Sequence, residues 1–290
     1  LLVAILSEGH ALIEDVPGMG KTMMARALAR SMGVSFARIQ GTVDLLPSDV
    51  TGISYFNQKL SEFEFREGPL FANIVLADEI NRSTPRTQSS LLEAMQERQV
   101  TVDGRTMRLP LPFFLIATQN PIELEGTFPL PEAQLDRFLL RVRVEYPSAE
   151  EEKALLFRFK EEQPLDTLAP VVSGEQVQGL LPSVRAVRVA DSTAEYLVAL
   201  IRRTREHPAV QLGASPRAAL ALFRAAQAFA AMRGREYVKP DDIKQLATPV
   251  LAHRLLLTTQ SRLREQSTAS ILRDVVERTP VAVEAVSDGR

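Results

Sequence analysis

Two textures divide this 290-residue chain. Through the first half, short apolar runs alternate with stretches whose apolar residues recur every three or four positions. That alternation is the mark of strand–helix units feeding a parallel sheet. The runs predict strands over Ala11–Glu14, Phe36–Gln40, Asn73–Ala77, Phe113–Thr118 and Leu139–Val144. Asn73–Ala77 and Phe113–Thr118 are almost wholly apolar, as expected of strands covered on both faces. Between them, Lys21–Met32 sets Ala25, Leu28, Ala29 and Met32 at helical spacing. Ser83 or Thr84 is placed to cap a further helix, with Pro85 in its first turn and Leu91, Leu92 and Met95 as its buried stripe.

Two segments read as insertions on this scaffold. Ile53–Phe65, with its alternating Phe63-Glu64-Phe65, predicts a small hairpin, and Val100–Met107 turns at Asp103-Gly104, a two-residue hairpin signal. Plain sheet-edge hairpins and a partner-binding role both remain open. After Tyr146-Pro147 strand signals thin out and helices take over. Ser148 is placed to cap the first of them, and Ser192–Glu206, Pro216–Met232 and Pro240–His253 are the clearest. One more helix is expected from about Ser267, then a frayed tail, VAVEAVSDGR. The expected division is therefore an α/β domain over 1–147, carrying the two hairpins, and a helical domain with its tail over 148–290.

Composition narrows the function classes. A formal net charge of −2 gives no reason to expect general affinity for nucleic acid or acidic membranes. The 28 arginines against 6 lysines make Arg202-Arg203-Thr204-Arg205 a solvated helix face rather than a binding patch. With no cysteine, disulfides, thiolate metal sites and cysteine nucleophiles are excluded together. His10, His207 and His253 are too scattered for a metal cluster. The opening LLVAIL is too short to cross a bilayer, lacks the charged start of a signal peptide, and reads as the tail of a helix. A cytoplasmic protein without membrane insertion is the expectation.

Chemistry concentrates at three strand ends. The first is DVPGMGKT, Asp15 to Thr22, between an apolar strand and an amphipathic helix. A P-loop asks for Gly, four residues, then Gly-Lys-[Ser/Thr], and here Asp15 stands at the first position. That position only starts the turn, which an Asp does through its own backbone hydrogen bond. The remaining positions keep the tasks of a phosphate-binding loop, the plain alternative for the motif taken alone being a Pro-Gly turn before a helix. The backbone of Pro17, Gly18, Met19 and Gly20 cradles phosphates at a helix N-terminus, Lys21 reaches the terminal phosphates, and the Thr22 hydroxyl faces Mg²⁺.

The second is Ile74-Val-Leu-Ala-Asp78-Glu79, an apolar strand delivering two carboxylates to the sheet edge where ligands bind. Asp78 suits the Mg²⁺ shell beside Thr22, and Glu79 the general base that polarises water. The bland reading of an Asp-Glu pair is a helix cap. The third strand runs Phe113 to Thr118 and on to Gln119-Asn120-Pro121, where Asn120 is positioned to orient the same water. Taken alone, Asn-Pro is only a turn signal.

These segments resemble the AAA+ ATPases. The wording of DVPGMGKT, LLPSDVTG, FEFREGPLFANIVLADEINR, QSSLLEAMQE, ATQNP and FPLPEAQLDRF is similar to the MoxR family, from about Gly9 to about Thr258. The resemblance implies a five-stranded parallel P-loop sheet with a C-terminal all-helical lid, binding ATP and Mg²⁺. Asp78 and Glu79 then correspond to the Walker B pair and Asn120 to the first sensor. Arg137 corresponds to an arginine finger supplied to a neighbouring subunit, against the plain alternative of a salt bridge to Glu132 or Asp136. Arg217, in Ala-Ser-Pro-Arg, matches the second sensor at the start of a lid helix, and Arg82 and Arg86 are candidates for intersubunit contacts. A homo-oligomeric ring, a hexamer by the family pattern, is implied, as is chaperone-like action on a client protein, in some cases one with a von Willebrand factor A domain. No Asp-x-Ser-x-Ser motif occurs, so any such domain would sit on another chain. Two competing readings are a nucleic-acid motor, disfavoured by the sparse basic residues of the hairpins, and a non-hydrolysing nucleotide-switched scaffold.

Overall fold

The structure, a computed structural model, describes residues 1–14, 18–120, 126–161 and 165–281. It forms two compact units. One comprises His10–Arg137 and Val142–Gly179, the other Leu1–Gly9, Phe138–Arg141 and Leu180–Arg290.

The first unit is organised by a five-stranded sheet in the order β2-β5-β8-β1-β9. Its strands are β1 (Ala11–Glu14), β2 (Phe36–Gln40), β5 (Ile74–Asp78), β8 (Phe114–Gln119) and β9 (Leu140–Arg143), of which the last two residues of β9 belong to this unit. Pairings β1–β8, β2–β5 and β5–β8 are all parallel. β1 is buried along its whole length, as is β5. Their Leu, Ile and Val side chains meet apolar cover on both faces, which is why they read as unbroken apolar runs. β8 has the same character from Phe114 to Thr118.

Helices Lys21–Ser31 and Pro85–Glu97 flank this sheet in sequence, as their periodicity predicts. The second is capped by Thr84, whose hydroxyl accepts from the Thr87 N–H, and it buries Leu91, Leu92 and Met95. His10 ties it to the sheet. One ring nitrogen lies 2.9 Å from the Met95 carbonyl and the other accepts the Leu115 N–H at 3.0 Å. Burial drives the His10 pKa down to about 3, so the ring stays neutral.

Both predicted insertions are hairpins. β3 (Gly52–Asn57) pairs with β4 (Glu62–Glu67), and β6 (Gln99–Val102) with β7 (Arg105–Arg108), each antiparallel. Asp103 and Gly104 both take positive φ, as a two-residue primed turn requires.

The second unit is mainly helical. Its longest helices are Asp191–Glu206, Pro216–Met232 and Pro240–Leu251, and Ser215 caps the second by accepting the Ala218 N–H. A short antiparallel pair, β10 (Val210–Leu212) with β11 (Leu256–Leu257), was not announced by the sequence pattern. The Phe138 carbonyl is held inside this unit by the Arg254 guanidinium at 2.8 Å and faces the His253 ring at 2.9 Å. Burial lowers the His253 pKa to about 3 as well. No helix among the described residues is long and apolar enough to cross a membrane.

Candidate nucleotide site

β1 sits between β8 and β9, while β2, β5 and β8 run off in one direction. The order of the sheet therefore reverses beside β1, and in open parallel sheets the ligand crevice lies outside the carboxyl ends at that reversal. The glycine loop leaves the carboxyl end of β1 there. Asp15 and Pro17 lie outside the described residues; Gly18 to Thr22 are described. Gly18 and Gly20 take φ of +89° and +76°, and a side-chain carbon built at either would meet no atom within 4 Å. Positive φ and open space together describe a backbone free to curl around an external group. Gly20 then caps the helix that starts at Lys21, so free N–H groups and the positive helix end face the same space.

The register aligns the other strand tips with this loop. Gln40 pairs with Asp78, and Glu14 with Gln119. Asp78 is buried, and both its oxygens are engaged: Oδ1 accepts the Thr118 hydroxyl at 2.6 Å and Oδ2 accepts Arg38 Nη2 at 2.6 Å. Arg38 offsets the cost of keeping this carboxylate charged out of water. Glu79 follows with φ 53° and ψ 48°, a left-handed conformation uncommon for a residue with a side chain. Three contacts hold it there. Its N–H donates to Thr118 Oγ1 at 2.8 Å, its carboxylate accepts Gln40 Nε2 at 3.0 Å, and Arg82 Nη1 stands 3.7 Å from Oε2. Gly41 completes the brace: its N–H donates to the Asp78 carbonyl at 2.7 Å, and a Cβ there would fall 2.1 Å from the Glu79 carbonyl oxygen.

Asn120 is buried just beyond β8, and its carbonyl accepts Asn81 Nδ2 at 3.5 Å. The Oδ1 of Asn81 is buried without a hydrogen-bond partner, which leaves an acceptor unspent next to the candidate sensor. Pro121 lies outside the described residues. Arg137 ends the turn after helix Glu132–Leu135 and is half-buried. Arg217 lies in the other unit, in the first turn of helix Pro216–Met232.

The first unit thus assembles the loop, Asp78, Glu79 and Asn120 along one edge of one sheet. Sequence reasoning missed the residues that brace them: Arg38 and Gln40 on β2, Thr118 on β8, and Gly41. Arg38 and Gln40 are two apart on a strand and so share a face. Two polar residues at that spacing, at the end of a strand otherwise apolar, were the available signal.

Residues 10–140 match the family model described as the ATPase family associated with various cellular activities, and residues 202–275 match an AAA lid domain. Chaperone MoxR1 of Mycobacterium tuberculosis is 42% identical over 286 residues, covering 96% of this chain and 75% of that protein. The chain belongs to the MoxR family of AAA+ ATPases. An uncharacterised Bacillus subtilis protein, YeaC, is 54% identical, with 98% of this chain and 88% of that protein covered. A crystal structure from Cytophaga hutchinsonii, assigned as a candidate ATPase, superposes with a TM-score of 0.91 at 39% identity, covering 97% of this chain and 88% of that one. The MoxR fold here is the expected one: a five-stranded parallel P-loop sheet, and a helical lid.

The donor set of this MoxR chain fits a magnesium nucleotide. Thr22 and Asp78 carry hard oxygen donors of the kind Mg²⁺ takes, usually one or two from protein with phosphates and water supplying the rest. The open loop at Gly18 and Gly20 leaves room for those phosphates.

Proposed function

We propose that this chain binds ATP with Mg²⁺ on the Gly18–Thr22 loop, hydrolyses it at the interface between subunits of a homo-oligomeric ring, and uses the cycle to remodel a client protein. The observation that carries this reading is the convergence of Asp78 and Glu79, at the end of β5, with Asn120, just past the end of β8, on the sheet edge beside the glycine loop.

In the proposed mechanism the backbone N–H groups of Gly18, Met19, Gly20 and the start of the Lys21 helix hold the phosphates, and Lys21 neutralises the terminal ones. Pro17 would complete the loop. The metal supplies charge neutralisation at the phosphates. Thr22 and Asp78 hold it. Glu79 takes the proton of the attacking water, and Asn120 orients that water. Charge developing at the transferred group is met by Arg137 from a neighbouring subunit. Such a guanidinium is worth roughly 10³–10⁵ in rate. Arg217 reports phosphate state to the helical unit. Arg137 is half-buried rather than enclosed, which supports a role at a subunit interface.

Chaperone MoxR1 lends the client-directed half of the proposal. The β3–β4 hairpin is the surface offered to that client. It carries Phe56 and Phe63, 51% and 71% exposed, as an edge-to-face pair with ring centroids 5.3 Å apart. Its charges are mixed: Lys59 and Arg66 against Glu62, Glu64 and Glu67. That balance favours a protein client, including one with a von Willebrand factor A domain, over a polyanion. The cytoplasm is the proposed location.

Phosphate release by the purified protein tests the enzyme. Lys21→Ala should weaken ATP binding by roughly 100-fold, the order expected when a charge-assisted phosphate contact is removed. Glu79→Gln and Arg137→Ala should each bind ATP and lose turnover, and mixing the two should restore part of it. Full activity in Glu79→Gln would sink the hydrolytic assignment, and absence of rescue on mixing would sink the shared site.

A further inference from the structure

The contacts made by one buried hydroxyl go beyond the roles assigned above. Thr118 is fully buried on β8, two residues before Asn120. Its Oγ1 donates to Asp78 Oδ1 at 2.6 Å and accepts the Glu79 N–H at 2.8 Å. A hydroxyl has one proton to give. An amide N–H can only donate, so the Thr118 proton is committed to Asp78. Its distance is that of a charge-assisted O–H···O⁻ bond. The side chain is β-branched and its torsion is stiff, so the oxygen has one place to be. Both neighbours need such a fixed point. Asp78 must present its remaining lone pairs in one direction, and Glu79 sits in a left-handed conformation that must be held from outside.

We propose that Thr118 is a positioning residue whose single hydroxyl, shared between the Asp78 carboxylate and the Glu79 amide, sets the orientation of the metal-holding carboxylate and of the general base together. This rests on the ATPase reading, and it adds that β8 supplies more than the sensor Asn120. It supplies the pin on which the β5 tip is mounted. Removing the hydroxyl strands a buried carboxylate oxygen and a partly buried N–H at once, and each left unmet is costly. Glu79 is then free to leave its left-handed conformation, and the base drifts from the water it must reach.

Two substitution pairs isolate the hydroxyl. Thr118→Val exchanges it for a methyl of the same shape. Thr118→Ser and Thr118→Ala both lose the methyl and differ only in the oxygen, so they decide the matter if the valine protein does not fold. Expected for Val and Ala is a kcat lower by about 10- to 100-fold, the scale of a misplaced catalytic group, with ATP affinity within threefold. Ser should stay within threefold of wild type in both. The second readout needs no nucleotide: amide hydrogen exchange of Glu79 should quicken at least tenfold in Val and Ala and be unchanged in Ser. A Ser variant as slow as Ala, or unaltered Glu79 exchange in Ala, would overturn the pin. A wild-type protein without turnover would instead overturn the ATPase reading, and the exchange comparison would still judge Thr118.

Discussion

β5 and the β3–β4 hairpin both carry large apolar side chains in the same unit, yet they use them in opposite ways. Every residue of β5 is buried, Ile74 to Asp78, whereas Phe56, Phe63, Ile53 and Tyr55 of the hairpin are all more than 40% exposed. In β5 the apolar residues are anchorage, and the chemistry is delegated to the polar residues at the tip. In the hairpin the apolar residues are themselves the presented surface, and the polar ones stiffen it. Glu64 accepts both the Tyr55 hydroxyl at 2.6 Å and Asn57 Nδ2 at 2.8 Å. The contrast teaches that hydrophobic runs in this chain mark two different investments, one in rigidity and one in contact. What separates them is whether helices cover the strand.

The contrast is broken most forcefully at the core. Leu76 is fully buried, and Leu76→Ala should cost about 2–5 kcal/mol of unfolding free energy in denaturant titration. A loss under 1 kcal/mol would mean that β5 is less anchored than its burial implies. A second effect, graded with pH, is expected from acid. His10 has a folded pKa of about 3 against an unfolded value near 6.5. Between those values the unfolded chain binds a proton that the folded chain refuses. Stability is therefore intact above the unfolded value and falls as pH drops from about 6.5 toward 3, at up to roughly 1.4 kcal/mol per pH unit for this group. Burial is the main cause, and the nearby Arg98 charge pushes the same way. His10→Gln should flatten that slope in urea midpoints measured across the range; an unaltered slope would remove His10 from the acid response. Smallest of all, Phe63→Ser at the hairpin tip should shift stability by under about 0.5 kcal/mol, as exposed substitutions do. Its loss should show in ATP-dependent action on a client instead. A large drop in stability would make the hairpin part of the core.

Much of this was legible in the sequence because it is local. A glycine loop between strand and helix, an Asp-Glu after an apolar run and a two-residue primed turn each declare themselves within a few residues. The strand ends were less legible. The apolar run suggests Asn73–Ala77, but β5 is Ile74–Asp78. Asn73 is diverted, its Oδ1 taking the Ser35 hydroxyl at 2.8 Å and its Nδ2 donating to the Pro112 carbonyl at 3.1 Å. Asp78 is drawn into the ladder because Gly41 donates to its carbonyl. Neither contact can be read from the run itself. The bracing of the site by Arg38, Gln40 and Thr118 was illegible for a related reason. It depends on which residue of one strand faces which residue of another some forty positions away, and register is a property of the assembled sheet. The β10–β11 pair escaped because strands of two and three residues are shorter than any alternation they could display.

The first hairpin ends in a turn where Leu60 is 58% exposed, on a chain with no cysteine at all. A thiol placed at Leu60 would be the single thiol among these 290 residues. Fluorophores, spin labels or cross-linkers could then be attached at that tip with no other thiol of these 290 residues competing. In the proposed ring, distances between labels, one on each copy, would show whether the tips rearrange when nucleotide is added.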